Sequence, residues 1–232
     1  MLKTLSRGTV EDSLQSQVED SFQGAKLKTL SKAGLTTPLK LSGIEQAFAD
    51  RAPITYDITP DTRQAAVAMV LRPGSLESLF ILRAKRDGDP WSGHMAFPGG
   101  HVETIDASLQ ATAERETREE IGVDLSACAR CLGPMDQVRA NPRSGRDMVV
   151  SPYLFVLEEE PAYALNYEVA DVLWGSVDDM FTGASLTREA FPGYSDTWAG
   201  YSVGGQLVWG LTFRILDLFF AAIDPDWVHR PS

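Results

Sequence analysis

Apolar residues change their period along the chain, and the changes mark its elements. From Gln64 the spacing is that of strands: Ala65 to Leu71 is a near-continuous apolar run, Leu79 to Leu82 is a second, and Pro73-Gly74 between them predicts a hairpin turn. The period then lengthens. Leu109, Ala113, Thr117 and Ile121 recur every four residues, a stripe that one face of a helix would bury. This helix is expected to begin near Asp106 as its N-cap and to stop at Gly122. Strands resume at Met148 to Leu157 and around Val169 to Trp174. Val208 to Phe220, apolar on most sides with Arg214 and Asp217 as its charges, reads as a closing helix packed on the sheet. A shorter helix is expected from Ser42, where Ser42-Gly43-Ile44-Glu45 has capping-box spacing, until Pro53. Together these elements predict an α/β fold, a mixed β-sheet sandwiched between helices.

Ahead of them, Ser, Thr, Gln and Lys dominate and large apolar residues are few, so residues 1–41 are expected to form a flexible N-terminal extension to one folded domain, 42–232. Leu2-Lys3-Thr4-Leu5-Ser6 recurs as Leu27-Lys28-Thr29-Leu30-Ser31, too short a unit to indicate a solenoid.

Charge narrows the partners. The chain carries 32 acidic against 21 basic residues, a formal charge of -11, which argues against binding nucleic acid or an anionic membrane surface. No apolar run reaches the roughly 18 residues that span a bilayer. Met1 to Val10 contains Lys3 and Arg7 but no apolar stretch of a secretory signal, so a cytoplasmic location is expected. The two cysteines, Cys128 and Cys131, have C-x-x-C spacing, yet His94, His101 and His229 supply no paired ligands for tetrahedral zinc. Two free thiols in a surface turn are expected.

The candidate chemistry lies on the helix with the four-residue period. Glu116, Glu119 and Glu120 sit at i, i+3 and i+4, so their carboxylates share an arc of roughly 100°. Such like charges repel and call for a cation. Arg115 and Arg118 supply one answer, a salt-bridged surface. The Gly99-Gly100 pair ahead of the helix favours another, because glycine lets backbone approach a ligand closely. Hard oxygen donors of this kind suit Mg²⁺ or Mn²⁺ bound through few carboxylates and the oxygens of a phosphate substrate.

Phe97-Pro98-Gly99-Gly100, then Asp106, then Arg115-Glu116-Thr117-Arg118-Glu119-Glu120-Ile121-Gly122-Val123 resembles the Nudix box. Asp106 stands in place of the family's first Glu, eight residues rather than seven separate it from Arg115, and Thr117 replaces an aliphatic residue. The Asp and the lengthening are similar to the coenzyme A diphosphatase branch. The resemblance implies a Nudix-type α/β/α sandwich, a diphosphatase dependent on Mg²⁺ or Mn²⁺, and a homodimer, an arrangement frequent in the family. It implies that Glu116, Glu119 and Glu120 bind the metal and that one of them assists deprotonation of the attacking water. Arg115 would orient a glutamate and the Gly99 carbonyl would complete a metal shell. The substrate implied is a nucleoside diphosphate linked to another moiety, with coenzyme A or its thioesters leading. ADP-ribose, NADH or a nucleoside triphosphate are the alternatives, as is a Nudix domain that binds a ligand without turnover. Upstream, Arg83 and Gly93 match the coenzyme A branch and make Arg83 a substrate-binding candidate, whereas Ala84, Gly88-Asp89-Pro90 and Trp91 depart from it. Arg139, Arg143 and Arg146 could meet distal phosphates or keep a loop soluble. Glu168, before Val169, reads as support for its loop or as an extra acid or base, and Trp91, Trp174 and Trp209 either stack on a base or fill the core.

Overall fold

The computed structural model describes residues 38–86, 92–140, 147–190 and 197–230. Helix α1 (Leu41–Phe48) turns Ile44 and Phe48 inward. Strand β1 (Arg63–Arg72) folds back through the Pro73-Gly74 turn into β2 (Glu77–Arg83), the hairpin that the turn residues predict. Two short strands, β3 (Met95–Ala96) and β4 (Gly99–His101), lead to helix α2 (Leu109–Ile121). A one-turn helix α3 (Leu125–Cys128) follows, then β5 (Ala129–Pro134), β6 (Val138–Ala140) and β7 (Met148–Leu157). Next come β8 (Val169–Ser176) and α4 (Val177–Thr182). Strands β9 (Leu186–Ala190), β10 (Thr197–Val203) and β11 (Gln206–Trp209) form a separate antiparallel meander before helix α5 (Gly210–Ile223).

Strand β1 organises the main sheet. It runs parallel to β7 from Arg63↔Met148 to Leu71↔Val156, while the other pairings are antiparallel, so the sheet is mixed as expected. With β2 it shares only Leu71↔Ser78 and Arg72↔Glu77. Beyond that end the two strands part, β3 pairing with β2 and β4 with β1. The parting brings Gly99 and Gly100 beside Val67 and Ala66.

Both faces of β1 are buried, which explains why its sequence reads as a continuous apolar run rather than an alternation. Ala66, Ala68 and Val70 meet Ala113 and Ile121 of α2 in one apolar layer. Met69 and Leu71 join Phe80, Phe97, Phe213, Phe219 and Phe220 in the other, beneath α1 and α5. This is the α/β/α sandwich, with the small alanines on the α2 side permitting close approach of that helix.

Several boundaries differ from the periodic pattern. Helix α1 starts at Leu41 with Lys40 in the capping position and no side-chain cap, so Ser42 lies inside the first turn; the helix ends at Phe48, short of Pro53. Helix α2 starts at Leu109, because Ser108 rather than Asp106 takes the extended capping conformation and accepts the Ala111 N–H at 3.1 Å. Val208 and Trp209 belong to β11, and helix starts only at Gly210. A run buried as a strand and then as a helix carries no break in hydrophobicity to separate the two. The end of α2 is as expected: Gly122 takes the left-handed conformation (φ 74°), and a Cβ there would meet Ala164 at 2.8 Å. Cys128 and Cys131 are free thiols, but they lie at the end of α3 and within β5 rather than in a turn, and burial raises both thiol pKa values. The repeated pentapeptide of residues 1–37 lies outside the described residues, while Leu39 N–H donates to Asp178 Oδ1 at 2.8 Å. No helix of the described residues is long and apolar enough to cross a membrane.

The segment after α5 is tied down by one carboxylate. Asp217, nearly buried on α5, accepts from Trp227 Nε1 at 2.7 Å and the Arg230 N–H at 3.2 Å, and pairs with His229 Nδ1. Arg230 in turn donates to the Met180 and Phe181 carbonyls of α4. Removing an acceptor that serves several partly buried donors releases them all at once. Asp217→Ala is therefore expected to lower the unfolding free energy by roughly 2–3 kcal/mol in urea denaturation, and an unchanged midpoint would contradict this role.

Candidate active site

Helix α2 approaches β4 closely because two residues of β4 have no side chains. At Gly99 (φ 152°) a Cβ would lie 2.4 Å from the Ala66 carbonyl oxygen, and at Gly100 it would lie 2.4 Å from the Glu116 carboxyl group. Glu116 therefore packs its carboxylate against the β4 backbone. One helical turn on, Glu120 Oε2 accepts the Gly99 N–H at 2.9 Å. The amide of Gly99 thus reaches the carboxylate cluster.

Arg115 gathers the rest. Its guanidinium, 8% exposed, makes five hydrogen bonds: Nε and Nη2 to the two oxygens of Asp106 (2.8 and 3.1 Å), Nη2 to the His101 carbonyl (2.9 Å), and Nη1 to Glu116 (3.0 Å) and Glu119 (3.2 Å). All the donors of the planar group are used, in the forked geometry that distinguishes Arg from Lys. Asp106, displaced from the expected capping role, also accepts from the Glu103 N–H and the Thr112 hydroxyl, both at 2.9 Å. The Arg115 hydrogen bonds hold its carboxyl well below the usual range, and the same contact raises the Arg115 pKa. Arg118, the other candidate cation, is exposed and acts on Asp124 instead.

The glutamates occupy different environments. Burial raises the Glu116 carboxyl above its ordinary value, with Arg115 opposing and Glu119 and Glu103 adding to the rise. Glu120, almost fully buried, is pushed up to about 8, chiefly by desolvation; the Gly99 N–H opposes the shift and Glu116 reinforces it. The Glu119 side chain is 55% exposed. Among the described residues no three His, Cys, Asp or Glu side chains already converge as a metal cage. Glu116 and Glu119 are turned onto Arg115, and Glu120 onto Gly99. The donor set nevertheless fits a hard divalent cation: oxygen ligands only, two of them desolvated carboxylates that lack a full complement of positive charge.

Further residues reach the site from other strands. Arg83, at the end of β2, donates its N–H to the His94 carbonyl at 3.0 Å, and its charge acts on Glu120, as does that of Glu168. Glu168 comes with a loop held to the end of α2: Ala164 N–H donates to the Ile121 carbonyl and Asn166 N–H to the Glu120 carbonyl, both at 2.9 Å. Arg86 pairs with Glu168 at 3.4 Å and lies over the Tyr167 ring. The sequence leaves Glu168 as loop support or as an extra acid or base; its proximity to Glu120 is set by contacts that spacing does not reveal. Arg139 is committed elsewhere, paired through two nitrogens with Asp147 at 2.8 Å. Trp174 packs under Arg72, and Trp209 meets His94 and Trp198. Arg143, Arg146, Trp91 and Gly88-Asp89-Pro90 lie outside the described residues.

The NUDIX domain model matches residues 62–196. An uncharacterised protein of Schizosaccharomyces pombe is 37% identical over 114 residues, which are 47% of this chain and 35% of that protein. The uncharacterised Nudix hydrolase NudL of Pectobacterium atrosepticum is 29% identical over 162 residues, 66% of this chain and 79% of NudL. The chain thus spans about a third of the yeast protein and most of NudL. Among solved structures, the MutT NUDIX hydrolase of Burkholderia pseudomallei has 20% identity and a TM-score of 0.46, covering 68% of this chain and 97% of that one.

The Asp106–Arg115 pair yields a stability prediction. Asp106→Asn, which removes the two-point, most buried counter-ion of the guanidinium and leaves it Glu116 and Glu119, is expected to lower the unfolding free energy by roughly 3 kcal/mol at neutral pH. Because the folded-state pKa of Asp106 is depressed, its contribution is complete above the unfolded value of about 3.9 and is lost as pH falls through the folded value. Denaturation of both proteins should therefore show a constant gap from about pH 5 to 7 and a narrowing gap below about pH 4. A gap independent of pH down to about 2 would refute the assignment.

Proposed function

The chain belongs to the NUDIX family, and from that premise we propose that it is a divalent-metal-dependent diphosphatase, hydrolysing the phosphoanhydride of a nucleoside diphosphate linked to another moiety. The observation that supports this best is the clustering of Glu116, Glu119 and Glu120 around a buried arginine and a glycine backbone, within the matched segment. In this reading residues 42–232 form the catalytic domain and residues 1–41 an extension to it.

Glu116, Glu119 and Glu120 would hold Mg²⁺ or Mn²⁺, with the Gly99 carbonyl as a further oxygen donor. When bound, the cation supplies screening of the diphosphate charge and activation of water near neutral pH. The protein's own part is positional. Arg115 fixes the directions of Glu116 and Glu119, the Gly99 N–H fixes Glu120, and one of the three glutamates takes the proton of the attacking water. The charge of Arg83, already felt at Glu120, suits it to a substrate phosphate. Arg83 and Gly93 also favour coenzyme A or its thioesters as the leading substrates, ahead of ADP-ribose, NADH or a nucleoside triphosphate.

The test is a panel of these compounds with Mg²⁺ or Mn²⁺ and chromatographic identification of the products. At least one should be hydrolysed, a chelator should abolish the reaction, and Glu119→Gln should lower the rate by about two orders of magnitude or more. Tight binding of one compound with no product from any would instead identify a ligand-binding regulator.

A further inference from the structure

Among the described Phe, Tyr and Trp rings, Tyr167 is the most exposed, 76% open to solvent, although the chain around it is firmly held. On one side of it the Asn166 N–H donates to the Glu120 carbonyl at 2.9 Å. On the other, the Glu168 N–H donates to Asn166 Oδ1 and the Glu168 carbonyl accepts the Ala84 N–H, both at 2.7 Å. Tyr167 is thus fixed between the end of α2 and the end of β2.

Arg86 backs the ring. Its Cζ lies 4.3 Å from the ring centroid, Nη2 donates to the Tyr167 carbonyl at 3.3 Å, and Nη1 reaches Glu168 Oε1 at 3.4 Å. One guanidinium therefore covers one face of the ring and touches the carboxylate whose charge acts on Glu120. The exposure of Tyr167 then belongs to its opposite face and its edge.

A ring left this open adds little to folding through burial. Its pinned backbone and cation–π backing instead reduce what it costs to order the side chain against a ligand. The surroundings indicate what that ligand carries. Lys85 and Arg86, both exposed, place positive charge here in a chain of net charge -11, and Glu120 is one of the proposed metal ligands. An open ring face, two cations and a metal-binding carboxylate at one corner suit a planar base joined to phosphate.

We infer that Tyr167 stacks on the nucleobase of the substrate, and that Arg86 is a positioning residue that holds the ring for it. This rests on the diphosphatase reading for the identity of the phosphate-bearing half. The contact favours nucleotides over phosphates that lack a base, and it discriminates little among bases because each presents a π face.

Calorimetric titration of the full chain with two probes tests it. Adenosine monophosphate carries the base; ribose phosphate keeps the sugar and the phosphate without it. The nucleotide should bind more tightly by about tenfold. Tyr167→Leu should remove that advantage and leave ribose phosphate affinity unchanged, while Tyr167→Phe, which keeps a ring, should retain most of it. Arg86→Gln should weaken the nucleotide alone; equal weakening of both probes would make Arg86 a phosphate contact and overturn its positioning role. Thermal unfolding of each variant separates a lost contact from a lost fold. No preference for the nucleotide, an undiminished preference in folded Tyr167→Leu, or a loss in Tyr167→Phe as large as in Tyr167→Leu would overturn the stacking role. Metal-dependent hydrolysis is measured separately. Turnover with kcat/KM unmoved by Tyr167→Leu would remove the stacking role and leave the diphosphatase, whereas base-dependent binding that Tyr167→Leu abolishes, without turnover, would keep the stacking role and remove the diphosphatase.

Discussion

A guanidinium taken out of water must find an acceptor for every N–H it carries, and Arg115 meets that demand by drawing three separate parts of the chain together. The Asp106 loop supplies a full counter-charge, β4 supplies a carbonyl at His101, and α2 supplies Glu116 and Glu119. Three closely spaced carboxylates would otherwise repel one another on a half-buried helix. Arg115 offsets two of them, and the third, Glu120, is left with a backbone N–H as its closest donor. That division explains why burial dominates at Glu120 and raises its proton affinity so far. It also explains why a helix of like charges is compatible with a packed core on its other face.

The sheet creates the space in which this happens. Because β1 and β2 pair only beside their turn, β3 and β4 enter between their far ends and bring Gly99 and Gly100 under α2. A side chain at Gly100 would displace the Glu116 carboxylate from the backbone it touches, and one at Gly99 would collide with β1 at Ala66 and Val67. On the other edge of β2, β8 pairs along the full strand and brings Glu168 beside the Arg83 end, so both come within electrostatic reach of Glu120. Metal ligands and phosphate contacts, as proposed, would then come from different elements of one architecture.

Much of this was legible in the one-dimensional pattern, and the physical reasons for success and failure are specific. The stripe from Leu109 to Ile121 predicted α2 because a helix buried on one face must repeat near 3.6 residues. Gly122 predicted its end because a left-handed residue is required there. Asp106 was misplaced as a cap because Asp and Ser both suit that position, and only the backbone conformation at Ser108 chooses between them. The β11–α5 boundary was invisible because Val208 is as buried in a strand as Phe213 is in a helix. The placement of Glu168 near Glu120 was not legible because the Asn166 N–H bond to the Glu120 carbonyl joins residues far apart in sequence.

By itself, then, the sequence determined the longest elements, the layered fold class and the type of chemistry, because periodicity, turn residues and the spacing of charges on one helix are local properties, while the short strands and the β9–β11 meander carried no such pattern. The tertiary structure decided which acceptors Arg115 would find, which glutamate would be most deeply buried, and which distant residues would stand beside it. Those outcomes depend on desolvation and on close approach of backbone to side chain, and both exist only once the sheet has brought separate segments into contact.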